Sequence, residues 1–332
     1  MEHPLISIII PVFNIEPYIA RCPDSILAQT YEPIEIVAVD DGSKDASGGI
    51  LDDYALRYDK VRVFHKENGG VTSARLFGIE KAKGAYIGFV DGDDTIEPEM
   101  YERLMANAMK YHADISHCGY QMVFPDRVDY YYDTGRLVLQ DKATGLQDLL
   151  EGSMIEPGLC NKLYKQSLLQ SLFHLMDGSI KNNEDLLMNY YLFRQAERSV
   201  FEDFCPYHYM IRKGSAATGK LNEHKLADPI KVLQRIMADC PEPELQRIIK
   251  SRMTTAWISL ATMPDGDQRE LVAPYREQAR RELRELCPEI LRGDYSRRTK
   301  LLTALATLSP GMYHALHGIY AKIKGTDKKY EV

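Results

Sequence analysis

Tyr86-Ile87-Gly88-Phe89-Val90-Asp91-Gly92-Asp93-Asp94 is a short apolar run that opens directly onto three carboxylates. Its first residues read as a buried strand, and no Lys or Arg lies within the run to neutralise the Asp side chains. Like charges this close raise one another's pKa. A divalent cation removes the repulsion, because hard ions such as Mg²⁺ or Mn²⁺ favour carboxylate oxygens and bridge protein to phosphate. The stretch therefore reads as a metal–diphosphate site at a strand end, where open α/β sheets bind ligands. An acidic turn capping the next helix, Glu99 to Tyr111, would use the same residues.

The segments around it decide between the two. Upstream, Leu5 to Phe13 is β-branched and almost continuously apolar, the pattern of a strand covered on both faces, with Pro11 ending its ladder. Pro17 suits a helix start, and Ile15, Tyr18, Ile19, Cys22, Ile26 and Leu27 recur at helical spacing, with Pro23 expected to kink or split that helix. Ile34 to Val39 is a second buried strand and runs into Asp40-Asp41-Gly42-Ser43, where Ser43 or Asp45 can cap the following helix. Val61 to His65 is a third strand, nearer an edge. It leads to Glu67-Asn68-Gly69-Gly70 and a helix from Val71 to Lys83 that holds Arg75. Strand and helix thus alternate to about residue 115, which predicts an α/β fold with a mostly parallel sheet flanked by helices. In such a sheet Asn14, Asp40 and Asp41, the Gly69-Gly70 loop and the three Asp residues all fall on one edge. Four polar clusters on one edge make a crevice rather than four unrelated caps.

Beyond Ile115 the pattern changes. A hairpin is expected at Tyr120–Phe124 and Val128–Tyr132, a short helix near Leu146–Leu150, and a helix from Asn182-Asn183-Glu184-Asp185 to about Ala196. Tyr207 to Ile211 reads as a strand leading to Arg212, and the chain from about Asn222 is helical.

Composition narrows the class. With 332 residues the chain exceeds one core, with 45% hydrophobic and 27% charged residues typical of a globular protein. A formal net charge of −7 offers no basic surface for nucleic acid. The six cysteines form no CxxC pair, no leader is evident, and no apolar run is long enough to span a bilayer, so a cytoplasmic protein with reduced thiols is expected.

These segments resemble family 2 glycosyltransferases in order and spacing. The resemblance rests on Ser7 to Asn14, Asp24 to Tyr31, Val39 to Ser43, Glu67 to Gly70, Ala74-Arg75, Asp91 to Asp94, Asn161 to Lys165 and Glu184-Asp185-Leu186. It is dense over residues 5–115, sparse from 160 to 215 and absent beyond. It implies a GT-A fold with a nucleotide-sugar half at 1–115, an acceptor half at 116–220 and a helical C-terminal region at 221–332. It further implies a nucleotide-diphosphate donor, a UDP-sugar, and a divalent metal, Mn²⁺ or Mg²⁺. Carried over by position, Pro11 and Phe13 would lie along the nucleoside, and Asp41 with Asp40 would bond the uracil or ribose. Arg75 would face the nucleotide, Asp91 with Gly92 would reach the ribose or donor sugar, Asp93 would ligate the metal, and Asp185 matches the base. Glu184, beside Asp185, would raise its pKa. His208 and Arg212 are candidates to touch diphosphate or acceptor.

Leu76 and Cys160 depart from the pattern, where Asn and an aromatic residue are usual. His112 and His117 do not share a helix face and read as non-ligands. In the tail, Leu301 to Ile323 recur at helical spacing between Arg297, Arg298 and Lys300 on one side and Lys322, Lys324, Lys328 and Lys329 on the other. Such a basic amphipathic segment suits the inner face of a membrane, the body of its own chain, or a second copy in a homodimer. The acceptor implied is a glycan or lipid-linked glycan of surface polysaccharide. Two rival readings remain: a non-catalytic sugar-nucleotide-binding subunit, and a phosphohydrolase, since Asp91 to Thr95 also matches the DxDxT pattern of haloacid-dehalogenase-like enzymes.

Overall fold

The computed structural model describes residues 3–131, 133–152, 155–212, 214–215, 218–264, 266–309, 311–313 and 315–316. The chain forms two compact units, residues 1–149 with 154–212, and residues 150–153 with 213–332.

In the first unit the order is β1 (Ile6–Val12), α1 (Arg21–Leu27), β2 (Ile34–Asp40), α2 (Ser47–Arg57), β3 (Val61–His65), α3 (Val71–Lys81), β4 (Tyr86–Phe89), β5 (Thr95–Ile96) and α4 (Met100–Tyr111). There follow β6 (Ile115–Val123), β7 (Val128–Tyr130), β8 (Leu137–Asp141), α5 (Lys142–Glu151), β9 (Lys162–Lys165), α6 (Gln166–Leu169), α7 (Leu172–Leu175), α8 (Glu184–Gln195) and β10 (Arg198–Met210). One sheet runs β3-β2-β1-β4-β9-β6-β10-β5, with β7 on β6 and β8 on β10. The first four strands of that order are parallel to one another, β9 is antiparallel to both β4 and β6, and β6 is again parallel to β10. Two reversals cancel, so the C-terminal ends of β1, β2, β3, β4, β6 and β10 share one edge.

The continuous apolar runs become the strands buried on both faces. Ile6, Ile8, Ile9 and Ile10 of β1 and Ile36 to Val39 of β2 have no solvent exposure. Helices α2, α3 and α4 pack on this sheet, as the alternation predicts. Pro11 does not end the ladder. It pairs in register with Val39, and β1 continues to Val12. Ile9 accepts from Val90 on the β4 side while Val12 accepts from Asp41 on the β2 side. By alternation, the missing N–H of Pro11 therefore points to β4, where pairing has already stopped at Ile9. Pro23 splits its segment as expected: turns occupy residues 16–20, and Pro23 enters α1 in the first turn, where no N–H is needed. Ser43 does not cap α2; Asp45 does, through its Oδ1 accepting from the Ser47 amide at the helix start, while the N-cap position itself is Ala46. Ser43 Oγ instead accepts from the Asn14 amide, and Asp45 also accepts from Glu16.

β8 and β9 are strands beyond the expectation, and β5 and the start of β10 exceed it too. β5 is too short to carry a period, and it exists through its antiparallel pairing with Tyr207 and His208. β10 begins at Arg198 rather than Tyr207, its first half held by pairing with β6 and β8 while Asp203 and Pro206 break the local pattern inside it. Its register shifts between Glu202 and Tyr207, and the Asp203 carboxylate is satisfied by the amides of Asp133 and Thr134. The hairpin of β6 and β7 forms as read, with Tyr132 outside the described residues.

The second unit is helical: α9 (Glu223–Asp239), α10 (Pro243–Ala261), α11 (Arg269–Arg292) and α12 (Arg297–Leu308). Leu226, Ile230, Trp257, Ile258, Val272, Ala279 and Leu283 form its core.

Gly78 of α3 permits a close helix–sheet approach, since a Cβ there would run into the fully buried Ile9 side chain. Gly78→Ala should therefore lower stability by about 1–3 kcal/mol through overpacking. The effect would be read as a lower urea midpoint at unchanged m-value. Gly49→Ala in α2, with nothing within 4 Å of the added methyl, should instead be neutral or stabilise by up to about 1 kcal/mol.

Candidate active site

A cavity of about 530 Å³ opens at the ends of β1, β2 and β3, lined by Phe13, Asp40, Gly42, Lys44, His65, Lys66, Glu67 and Asn68. Its size suits a small ligand. Phe13, 46% exposed, lies at the mouth of this cavity. Asn14 holds the rim by adopting a left-handed conformation (φ 50) while its Oδ1 accepts from the Lys44 amide at 2.7 Å.

The paired Asp residues after β2 have different jobs. Asp40 lines the cavity, and its carboxylate accepts from the Ser43 amide and lies 2.9 Å from His65 Nδ1. Burial pushes that carboxyl up, but these bonds outweigh it and leave its pKa below the ordinary value. Asp40 and Asp52 flank both nitrogens of His65 and raise the imidazole pKa. Asp41 turns inward. Its carboxylate accepts from Lys66 Nζ at 2.6 Å and from the amides of Gly69 and Gly70, the latter at 2.7 Å. Gly70 supplies the positive φ (85°) that aims this amide at the carboxylate. Asp41 thus builds the loop that walls the cavity, and its side chain is 3% exposed.

At the end of β4 the carboxylates are divided among different partners. Asp91 pairs with Arg75 Nη2 at 3.1 Å, and Arg75 Nη1 reaches Glu184 of α8 at 3.1 Å. The buried guanidinium therefore bridges β4 to the first turn of α8. Gly92 is a packing requirement, since a Cβ there would meet Ile15 at 2.6 Å and both Ile19 and Val12 at 3.2 Å. Asp93 pairs with Arg212, Nη2 to Oδ2 at 2.7 Å. Asp94 is buried, accepting from Tyr207 Oη at 2.5 Å and the Met210 amide at 2.8 Å. Burial first, and then their neighbouring charges, push Asp93 and Asp94 above the usual carboxylate range.

Asp185 follows Asn183, which opens α8 in a left-handed conformation (φ 63). Burial, then the adjacent Glu184, push the Asp185 carboxyl up to about 7. His208 lies on β10 with Nε2 2.7 Å from Glu97 and Nδ1 3.3 Å from Thr95, so both nitrogens fasten β5. His117 is buried against Gln140, and burial lowers its pKa to about 3.

Lys44, His65, Lys66 and Tyr18 escaped the sequence reading; only the charge of the lysines beside a polar loop could have signalled them. Lys162 is also new: fully buried, it donates to the carbonyls of Glu156 and Gly158 and to Asn161 Oδ1. Burial lowers its pKa to about 8. It thereby pins the segment that ends in the buried Cys160.

Among the described residues no group of three His, Cys, Asp or Glu could enclose a metal ion. Asp93 nonetheless fits one. Its carboxyl is held up by burial and by Asp91, and both Arg212 contacts fall on a single oxygen. Mg²⁺-type ions commonly use one or two carboxylates and complete their shell with water and substrate phosphate.

The family model described as "Glycosyl transferase family 2" matches residues 7–173. EpsJ of Bacillus subtilis (strain 168), an uncharacterised glycosyltransferase, is 40% identical over 198 residues, covering 59% of this chain and 58% of EpsJ. The glycosyltransferase GlyG of Streptococcus pneumoniae serotype 4 is 33% identical over 249 residues, 71% of this chain and 80% of GlyG. Among solved structures, S. aureus TarS 1–349 in complex with UDP-GlcNAc superposes with a TM-score of 0.69 at 18% identity, covering 96% of this chain and 92% of that one. That likeness shows the fold.

Stability should separate the inward from the outward carboxylates. Asp41→Ala, which loses Lys66 and two amide donors together, should cost about 2–3 kcal/mol. Asp93→Asn removes a partly exposed pair and a like-charge clash, and should change stability by less than about 1 kcal/mol. Urea denaturation of both variants would read the contrast.

Proposed function

Because the chain belongs to glycosyl transferase family 2 and is a glycosyltransferase, we propose that it moves a sugar from a UDP-sugar to a hydroxyl of a glycan or lipid-linked glycan, with inversion at the anomeric carbon. The observation that carries this reading is the placement of Asp185. A carboxyl with pKa pushed to about 7 lies next to Glu184, whose partner Arg75 also pairs with Asp91. A hydroxyl is a poor nucleophile until a base takes its proton, and a base poised near the working pH does so best.

The roles then follow from the geometry. The cavity takes the nucleoside, with Phe13 and Asp40 lining it and Pro11 two residues back along β1. Asp41 acts by holding the Gly69–Gly70 loop. Asp91 and Gly92 border the donor sugar, with Arg75 behind Asp91. Asp93 would hold Mn²⁺ or Mg²⁺ through its carboxylate. Such an ion supplies Lewis-acid stabilisation of the departing diphosphate. Arg212, beside Asp93, adds positive charge on the same side. Asp185 accepts the acceptor proton, and Glu184 keeps its pKa high while Arg75 anchors Glu184. The split into a nucleotide half (1–115), an acceptor half (116–220) and a helical region (221–332) belongs to this proposal. TarS, in complex with UDP-GlcNAc, supports a UDP-sugar as donor.

No helix among the described residues is long and apolar enough to cross a membrane. Leu301, Leu308, Met312 and Leu316 are exposed, from 49% to 78%. They follow Arg297, Arg298 and Lys300. A peripheral contact at the cytoplasmic face, which would bring the enzyme to a lipid-linked acceptor, uses this stripe. Lys322, Lys324, Lys328 and Lys329 lie outside the described residues. Nothing in the geometry favours the phosphohydrolase alternative, because Asp91, its nucleophile, is paired with Arg75.

Thermal-shift and donor-hydrolysis assays with a panel of nucleotide sugars, with Mn²⁺, Mg²⁺ or EDTA, test the reading. Metal-dependent stabilisation by UDP or one UDP-sugar, lost in Asp93→Ala, is expected; no nucleotide response under any metal would overturn it. Asp185→Asn should lower kcat by about 10²–10⁴-fold while donor binding persists.

The pH profile tests the base. Asp185 must be ionised, so kcat/KM should rise with pH through an apparent pKa of about 7. The charged groups acting on or from Asp185 are Glu184, Arg75, Asp91 and Lys162, with the neutral phenol of Tyr164 also near it. Glu184→Gln removes the negative neighbour and should move that limb to lower pH; an unmoved limb would remove Asp185 from the role.

A further inference from the structure

Asp93 is already occupied by a cation, and that cation is part of the chain. Arg212 follows β10 by two residues, on the same sheet edge as the end of β4, so a contact across 119 residues is built into the topology. Its Nη2 lies 2.7 Å and its Nε 2.9 Å from Asp93 Oδ2. The guanidinium also stacks over the Tyr18 ring, 4.5 Å from the centroid. Both side chains of the pair are 22% exposed, so the pair is reachable from solvent and neither locked nor fully screened.

We propose that Arg212 and a divalent cation exchange on Asp93, so that the site takes up metal together with the nucleotide diphosphate and only poorly without it. This rests on the reading of Asp93 as the metal ligand. A metal ion arriving alone must push a positive guanidinium off its carboxylate and off the Tyr18 ring, and it finds one engaged carboxylate in place of a cage. Both steps weaken binding. A diphosphate changes both terms. It brings further oxygens to the ion, and its negative charge gives the displaced guanidinium a new partner with fork-like, two-donor geometry. Arg212 is therefore a positioning residue that couples two ligands. Linkage makes the coupling reciprocal, so the nucleotide must tighten metal as much as metal tightens nucleotide. Arg212 offsets part of the repulsion that Asp91 exerts on Asp93 while the donor is absent.

Mn²⁺ binding followed by electron paramagnetic resonance of the free ion, with and without UDP, tests the exchange. Wild type should bind Mn²⁺ weakly alone and ~5–150-fold more tightly with UDP, the usual span of such couplings. Arg212→Ala should bind Mn²⁺ more tightly than wild type in the absence of UDP and lose most of the coupling. A merely structural role for Arg212 would not produce a gain in metal affinity. Arg212→Lys, which keeps the charge without the fork, should fall between, and Tyr18→Leu should move the same way as Arg212→Ala should that variant fold poorly. Asp93→Ala should bind no Mn²⁺ at this site under either condition. Equal Mn²⁺ affinity in wild type and Arg212→Ala without UDP, with coupling intact in both, would overturn the exchange and leave the metal ligand standing. No Mn²⁺ uptake in any protein with UDP present would overturn both.

Discussion

The guanidinium of Arg75 is the contact on which the site depends. It is 5% exposed and sits between Asp91 at the end of β4 and Glu184 at the start of α8, a partner 109 residues away. Five carboxylates, Asp91, Asp93, Asp94, Glu184 and Asp185, gather at this edge, and like charges in a partly dry crevice cannot all ionise without counter-charge. Arg75 lets two of them remain charged while holding α8, which carries Asp185, against the end of β4. Removing the cation from such an arrangement would leave buried anions unpaired, the costly case for buried ion pairs. The strands supply rigidity, and this cation ties the end of β4 to the start of α8.

The remaining carboxylates show how environment divides identical groups into different tasks. Asp94 is buried and hydrogen-bonded by Tyr207 and Met210, which ties the acidic loop to β10. Asp41 is buried and hydrogen-bonded by backbone amides, which shapes a wall. Asp93 meets a side chain that can leave, and Asp185 is held at a pKa of about 7. Pairs of groups pushed apart in this way are the means by which one site performs acid–base and electrostatic work together.

Much of this was legible in the chain. Leu5 to Phe13 and Ile34 to Val39 read as strands because burial on both faces leaves no polar alternation to confuse the pattern, and they form β1 and β2. The edge location of every polar cluster followed from parallel order alone. Direction was not legible. A sequence names Asp41 but does not say that its side chain points back to Gly69 and Gly70 rather than out to a ligand. Nor does it disclose that Gly92 is small to admit Val12, Ile15 and Ile19. β5 and the first half of β10 were hidden for another reason. Their residues become strands through partners far away, with Asp203 and Pro206 breaking the local period. Arg212 and Asp93 met for the same non-local reason, the shared edge of β4 and β10.

That shared edge also explains why function gathers where local rules fail. Left-handed Asn14 and Asn183 flank the site, and a buried lysine, Lys162, sits in a strand whose neighbours Leu163 and Tyr164 are apolar. Each would be unfavourable in isolation. Asn14 is supported by the Ser43 and Lys44 loop, and Lys162 by Glu156, Gly158 and Asn161. Such departures persist because the all-apolar β1 and β2 over-determine the sheet beneath them. The stable centre of the sheet thus carries the strain of its edge, and the edge is where charges can be arranged for chemistry instead of for stability.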